Sequence, residues 1–315
     1  MQRPPTQVKD GAGPDAGVLA HIGGTPLLGF PRLARELPAG VRVYAKAEHL
    51  NPGGSVKDRA ALSMILDGER TGRLTPDRTI LDATSGNTGI AYALIGAARG
   101  YRVALCLPGN ASFERKRILQ IYGAELIETG PREGADGAQA HARRLAAEEP
   151  ERYFHANQYD NDANWRAHYE GTGVEIWEQT AGRVTHFLAG VGTSGTFTGT
   201  VRRLRELNPR LRAVLMQPAS PMHGLEGMRH VETSIVPGIY DAALADEVVT
   251  VSTEDAQAMA RRLSREEGLL VGVSSGANLL AALRYAHGLP PDSTVVTVLC
   301  DGGGRYLSEE FWDGH

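Results

Sequence analysis

An α/β protein with two open, twisted parallel sheets is predicted from three observations. Apolar runs of strand length alternate with helix-period segments, the alternation comes as two successive series, and glycine-rich loops stand where the runs end. The first series reads VRVYAKA, TILDA, YRVALCL, AELIET and YFHANQ. One interval holds a helix bracketed by Gly86 and Gly100, and another holds a helix running from a Ser112 cap to Gly123. The second series reads THFLAGV, AVLMQP, EVVTVS, LLVGVS and TVVTVLC. No linker, low-complexity tract or charge block separates the two, so the boundary is set near Glu151, where the first series closes. In open parallel sheets ligands gather at the carboxyl ends of strands, which is where the glycine-rich loops lie.

Composition narrows the function. With 315 residues and 42% hydrophobic side chains the chain can bury a large core. The balance of 33 basic against 37 acidic residues, a formal charge of -4, gives no broad electropositive surface for nucleic acid or membrane, so small molecules are the expected partners. Cys106 and Cys300 each end an apolar run and show no paired spacing, which argues against a metal or disulfide framework and suits a reducing cytoplasm. The opening MQRPPTQVKDGAGPDAG lacks the apolar core of a signal peptide and reads as a loose arm. No apolar run approaches the roughly 18 residues of a membrane helix.

Four segments carry chemistry. In Asn51-Pro52-Gly53-Gly54-Ser55-Val56-Lys57-Asp58-Arg59, the proline and glycines force a tight turn, Ser55 can cap the next helix, and Lys57 falls two residues inside its start. Positive helix potential there disfavours the ammonium form and frees a nucleophilic amine for Schiff-base chemistry. Taken alone, the loop also reads as a glycine turn followed by a solvated lysine. Gly190-Val191-Gly192-Thr193-Ser194-Gly195-Thr196 follows a strand and opens a helix, a candidate phosphate cradle of N–H groups and hydroxyls. It matches GxGxxG, but the next strand ends in Gln217 rather than an acid for ribose hydroxyls, and no Lys-Ser/Thr pair closes a P-loop. A monophosphate fits better than a dinucleotide. Thr84-Ser85-Gly86-Asn87-Thr88-Gly89 packs hydroxyls and an amide at another helix start, where an amino acid's carboxylate would be the natural anion. In Gly272-Val273-Ser274-Ser275-Gly276-Ala277-Asn278, either serine can be a helix N-cap.

Together these loops resemble the fold-type-II pyridoxal phosphate enzymes and, within them, the cysteine synthase (O-acetylserine sulfhydrylase) family, closest to its class B type. The resemblance runs from IGGTPL at Ile22 through the lysine loop, TSGNTG, HYEGTGVEIWEQ, the cradle, VPGIYDAALADEV and EEGLLVGVSSGAN to CDGGGRYLS. It implies two α/β domains like those of the tryptophan synthase β subunit, with the active site between them. Residues 36–150 would form the N-terminal domain, carrying the lysine helix and the carboxylate loop. Residues 1–35 and 151–315 would form the C-terminal domain, carrying the phosphate loop and the pyridine-nitrogen serine.

By that resemblance Lys57 would hold pyridoxal 5'-phosphate covalently, Gly192, Thr193, Ser194, Gly195 and Thr196 would hold its phosphate, Asn87 would bond the phenolic oxygen, and Ser274 would face the pyridine nitrogen. Thr84, Ser85, Asn87, Thr88 and Gln158 match positions that grip the substrate carboxylate. A neutral serine hydroxyl does not keep the pyridine nitrogen protonated, which favours β-elimination over transamination. The implied reaction is β-replacement on O-acetylserine or O-phosphoserine. Lys57 serves as anchor, base and acid, and sulfide or another thiol adds to give an L-cysteine-type product. The chain departs from the family at Ser194, where glycine is common, and at Gly24, where asparagine is. Arg229, in a segment where relatives differ in donor preference, would pair with the phosphate of O-phosphoserine or lie exposed on a loop. A homodimer is expected, with serine acetyltransferase as a further partner and no metal. The rival readings are a cystathionine β-synthase using homocysteine and a non-catalytic regulatory binding protein of the same fold.

Overall fold

The computed structural model of the chain describes residues 17–314, so the expected N-terminal arm lies outside the described residues except for Gly17. In chain order the strands are β1 (Leu27–Gly29), β2 (Arg42–Ala47), β3 (Thr79–Ala83), β4 (Val103–Pro108), β5 (Glu125–Thr129), β6 (Tyr153–His155), β7 (His186–Gly190), β8 (Arg212–Pro218), β9 (Glu247–Val251) and β10 (Thr294–Leu299). The α-helices are α1 (Lys57–Arg70), α2 (Asn87–Arg99), α3 (Phe113–Ile121), α4 (Gly134–Glu148), α5 (Asp162–Ala167), α6 (Gly173–Gln179), α7 (Gly195–Leu207), α8 (Thr253–Glu267) and α9 (Val273–Ala286). The strands form a six-stranded sheet, in the order β1-β2-β10-β7-β8-β9, and a four-stranded sheet, β5-β4-β3-β6. Every pairing is parallel except β1 with β2.

The apolar runs become strands because helices cover both faces of a parallel sheet. Every residue of β3 and β10 is buried, and so are the first five of β4. The edge strands β5 and β9 instead expose Glu125, Glu128 and Glu247, charges that discourage pairing with another chain. Gly86 and Gly100 bracket α2 as expected, the latter at φ 79°. Ser252 caps α8, accepting from the Asp255 N–H at 3.1 Å. Ser112 precedes α3, but its hydroxyl donates to Glu114 Oε2 at 2.7 Å instead of capping the backbone. One apolar core packs α1 and α2 on the four-stranded sheet through Met64, Ile65, Tyr92 and Ile95. Others pack α8 and α9 through Met259, Leu263 and Leu279, and α7 through Phe197 and Val201, on the six-stranded sheet. Each such side chain contributes on the order of 1.5–3 kcal/mol of burial. No helix among the described residues is long and apolar enough to cross a membrane.

Two further points concern the strands. Sheet membership departs from the 36–150 division at both ends: β2 lies inside it yet pairs with β10 in the six-stranded sheet, and β6 lies beyond it yet pairs with β3 in the four-stranded one. The run LLVGVS forms no strand. Val271 makes a single bridge to Gly302, and α9 begins at Val273. Gly272 lies so close to the turn after β10 that an added Cβ would stand 2.3 Å from Asp301 Oδ1, so the backbone turns directly into the helix. The carboxyl ends of β3, β7 and β10 then present their loops to one cleft between the sheets.

Candidate active site

The lysine loop is held from three sides. Gly53 N–H donates to Asp58 Oδ2 at 2.5 Å, Asn51 Nδ2 donates to the Ser55 carbonyl at 3.2 Å, and Val56 N–H donates to the Cys300 carbonyl at 2.8 Å. Burial pushes the Asp58 carboxyl up to about 7. Lys57 is the first residue of α1, with Val56 at the capping position. Ser55 still contributes, because its hydroxyl accepts from the Lys57 N–H at 3.2 Å. Among the described residues no acid pairs with the Lys57 amine, and the residue lines the central cavity.

The cradle forms where β7 runs into α7, a thirteen-residue helix whose first N–H groups lack intrahelical partners. Gly192 is required there by close approach, since a Cβ would stand 2.1 Å from the Gly227 carbonyl oxygen. Thr193 Oγ1 accepts from Asn164 Nδ2 at 3.1 Å, and Thr196 Oγ1 lies 3.3 Å from His168 Nε2. His168 opens a single π-helical turn, His168–Thr172, which sets its Nδ1 2.9 Å from Thr172 Oγ1. Burial, reinforced by Arg59, lowers His168 to about 3, so a neutral ring spans the two hydroxyls. Ser194 adopts φ 71°, a left-handed conformation that suits the glycine common in relatives. Ser194→Gly is therefore expected to raise unfolding stability by roughly 1 kcal/mol, read as a higher urea midpoint at unchanged slope. A lower midpoint would mean that the serine hydroxyl outweighs the strain.

The carboxylate loop is internally bonded. Thr84 Oγ1 accepts from the Gly86 N–H at 3.1 Å, Thr88 Oγ1 donates to Gln158 Oε1 at 2.8 Å, and Gln158 Nε2 donates to the Ala83 carbonyl at 3.4 Å. Ser85 sits half-buried between them. In the third loop Gly272 takes the capping position, so neither serine caps α9. Ser275 Oγ instead accepts from the Cys300 N–H at 2.8 Å, while buried Ser274 lines the cavity.

Lys57, Asn87, Gly192, Thr193, Ser194, Thr196 and Ser274 line one cavity. Gly195 follows within the cradle, and Thr84, Ser85, Thr88 and Gln158 stand behind Asn87 in its loop and the adjoining segment. Arg229 is not brought in. Its guanidinium stacks 4.6 Å from the Tyr159 ring centre and donates to the Ile235 carbonyl at 3.1 Å, in a separate hollow bordered by Gly192 and Ser194.

The sequence reading missed several neighbours. Asn278 accepts from the Gly190 N–H at 2.8 Å and donates to the Val298 carbonyl at 2.9 Å, tying α9 to β7 and β10. Its place in SSGAN, one turn after Ser274, was the available signal. Cys300 also lines the cavity, its thiol pushed up to about 11 by burial. Glu226 lines the mouth and pairs across the cleft with Arg115 of α3, which stacks over Tyr306. No local pattern marks that pair.

The Lys57 amine, a helix N-terminus rich in hydroxyls and a neutral hydroxyl on the facing helix, all on one cavity, fit the aldehyde, phosphate and ring nitrogen of pyridoxal 5'-phosphate. The model of the family described as "Pyridoxal-phosphate dependent enzyme" matches residues 18–301. The chain is 48% identical over 295 residues to a cysteine synthase of Aquifex aeolicus, covering 92% of this chain and 90% of that one. It is 44% identical over 287 residues to cysteine synthase B of Escherichia coli, covering 91% and 93%. Among solved structures, a cysteine synthase from Entamoeba histolytica superposes with a TM-score of 0.91 at 34% identity, covering 100% of this chain and 94% of that one. With the lysine, the cradle and the serine on one cavity, these matches place the chain in the pyridoxal-phosphate dependent enzyme family, in its fold-type-II cysteine synthase group.

Proposed function

We propose that the chain makes L-cysteine by β-replacement on O-acetylserine with sulfide. The observation that carries this reading is the convergence of the Lys57 amine, the α7 cradle and the Ser274 hydroxyl on one cavity. When bound, pyridoxal 5'-phosphate supplies an electron sink for the carbons of an attached amino acid. Lys57, paired with no acid among the described residues, takes the substrate's α-proton and later returns it. Ser274 offers a neutral partner to the ring nitrogen, which favours loss of a group from the β-carbon. The hydroxyls of Thr84, Ser85 and Thr88, with the Asn87 backbone N–H and Gln158, receive the substrate carboxylate at the start of α2, where helix N–H groups add positive potential. Closure of this loop would exclude water from the reacting carbons.

O-acetylserine is preferred over O-phosphoserine because Arg229 is already occupied by Tyr159 and Ile235, outside the lysine cavity. Steady-state rates with both donors, in wild type and Arg229→Ala, test this. Arg229→Ala is expected to leave the O-acetylserine rate within about twofold, and wild type to use O-phosphoserine at least about tenfold less well, the discrimination of one unmatched charged group. Efficient O-phosphoserine turnover that Arg229→Ala abolishes would reassign the donor. A product assay with homocysteine in place of sulfide addresses the second nucleophile, and cystathionine as the main product would overturn cysteine synthesis. A homodimer, association with a serine acetyltransferase and a cytoplasmic location accompany this proposal on the family resemblance and the cysteine usage.

A further inference from the structure

The turn after β10 reaches back across the cleft to Asn87. Asn87 Nδ2 donates to Asp301 Oδ2 at 2.6 Å, and Asn87 Oδ1 accepts from Arg305, so both ends of the amide are held by residues more than 200 positions away in the chain. Arg305 also donates to the Gly53 carbonyl, which ties the same turn to the lysine loop. Asp301 is 1% exposed, its Oδ2 also accepts from Tyr306 OH at 2.5 Å, and its Oδ1 has no hydrogen-bond partner among the described residues. A buried carboxylate placed this way is costly unless it has a task.

We infer that Asp301 and Arg305 are positioning residues that lock the Asn87 amide with its nitrogen as the donor left over for the cavity. A flipped amide would set its N–H groups against the Arg305 guanidinium and its oxygen against the Asp301 carboxylate, two repulsions in place of two hydrogen bonds. Only one of the two Nδ2 hydrogens is used by Asp301. The other is available to an oxygen in the cavity that Asn87 lines with Lys57. Asn87 thus presents a donor rather than an acceptor, and the choice is made from the far end of the chain. This inference rests on the reading of Asn87 as the partner of the cofactor's phenolic oxygen.

The test uses holoenzyme and reads the visible band of the bound cofactor and its pH dependence, alongside kcat/KM. Asn87→Ala is expected to move the band, Asp301→Ala to move it in the same direction, and the double variant to move it no further than Asn87→Ala. Asp301→Ala is expected to lower kcat/KM roughly 10- to 100-fold, the range for one hydrogen bond involving a charged group. Asp301→Asn keeps an oxygen to accept from Nδ2 and is expected to return the band to its wild-type place. Arg305→Met releases the other end of the amide and gives the same shift, which decides the matter where Asp301→Ala does not fold. Additive shifts in the double variant, or an unmoved band in Asp301→Ala and Arg305→Met while Asn87→Ala shifts it, would overturn the positioning role. An unmoved band in Asn87→Ala overturns the phenolic-oxygen contact itself.

Discussion

Lys57→Ala is expected to give a folded, colourless protein whose turnover falls by roughly 10,000-fold or more. The loss is that large because one amine anchors the cofactor, removes the α-proton and returns it, and Glu226, the one carboxylate among the described lining residues, is held by Arg115. Asp58 and Cys300 lie nearby, but burial holds the first at about 7 with its carboxylate turned onto Gly53, and the second at about 11 as a thiol. The fold should survive. Lys57 is half-buried and joins no ion pair among the described residues, so alanine, a better helix former, leaves no acid there unpartnered. Visible absorbance of purified protein checks the anchor, a steady-state assay checks the chemistry, and a urea midpoint checks the fold. A coloured variant, or one retaining a tenth of wild-type turnover, would remove Lys57 from the centre of the mechanism.

The parts of this site that were legible in the sequence are those written in consecutive residues. Strand runs such as TILDA and TVVTVLC are apolar throughout because their sheets are covered on both faces, and the loops after them carry their glycines, serines and threonines together. β1 escaped because three residues, Leu27–Gly29, are too few for a period, and its pairing with β2 supplies the order. LLVGVS has strand composition, yet Gly272 pressed against Asp301 ends it before any neighbour pairs. Sheet membership is hardest to read where the chain crosses between sheets. β2 needs β10, which lies about 250 residues later, and nothing within VRVYAKA says so. Side-chain partners follow the same rule: Asn87 and Asp301 are 214 positions apart, and Arg115 and Glu226 are 111.

The buried charge cluster beneath the lysine helix follows that rule too, and Glu175→Gln is expected to be strongly destabilising. Glu175, on α6, accepts from Arg59 Nη1 at 2.7 Å and lies 2.5 Å from the ammonium of Lys46 on β2, which is fully buried. Arg59, two positions past Lys57, also grips Glu48 through Nε at 2.7 Å, and Asn51 of the lysine loop donates to that same carboxylate at 2.8 Å. Two cations and two anions balance, so removing one anion leaves a buried positive charge uncompensated, at a cost of about 3–5 kcal/mol. The loosened start of α1 should also weaken retention of the cofactor on Lys57. Burial pushes Glu175 up, but Arg59 and Lys46 outweigh it and hold the carboxyl at about 2. Its folded value lies below its unfolded one near 4.5. The stability it confers is therefore complete above that unfolded value and is lost as pH falls through 4.5 towards 2. His168, held at about 3 against an ordinary value of 6.5, adds to the acid loss, because the unfolded chain takes up its proton first as pH falls below 6.5. Urea titrations of wild type and Glu175→Gln at pH 7, 5 and 3 check both points. The gap between the two proteins should be widest at pH 7 and clearly narrower at pH 3, closing fully only below about 2, whereas the His168 contribution should fall equally in both. A gap below about 1 kcal/mol at pH 7, the range of an exposed pair, or one that does not shrink in acid, would show that Glu175 does not anchor the lysine helix through its charge.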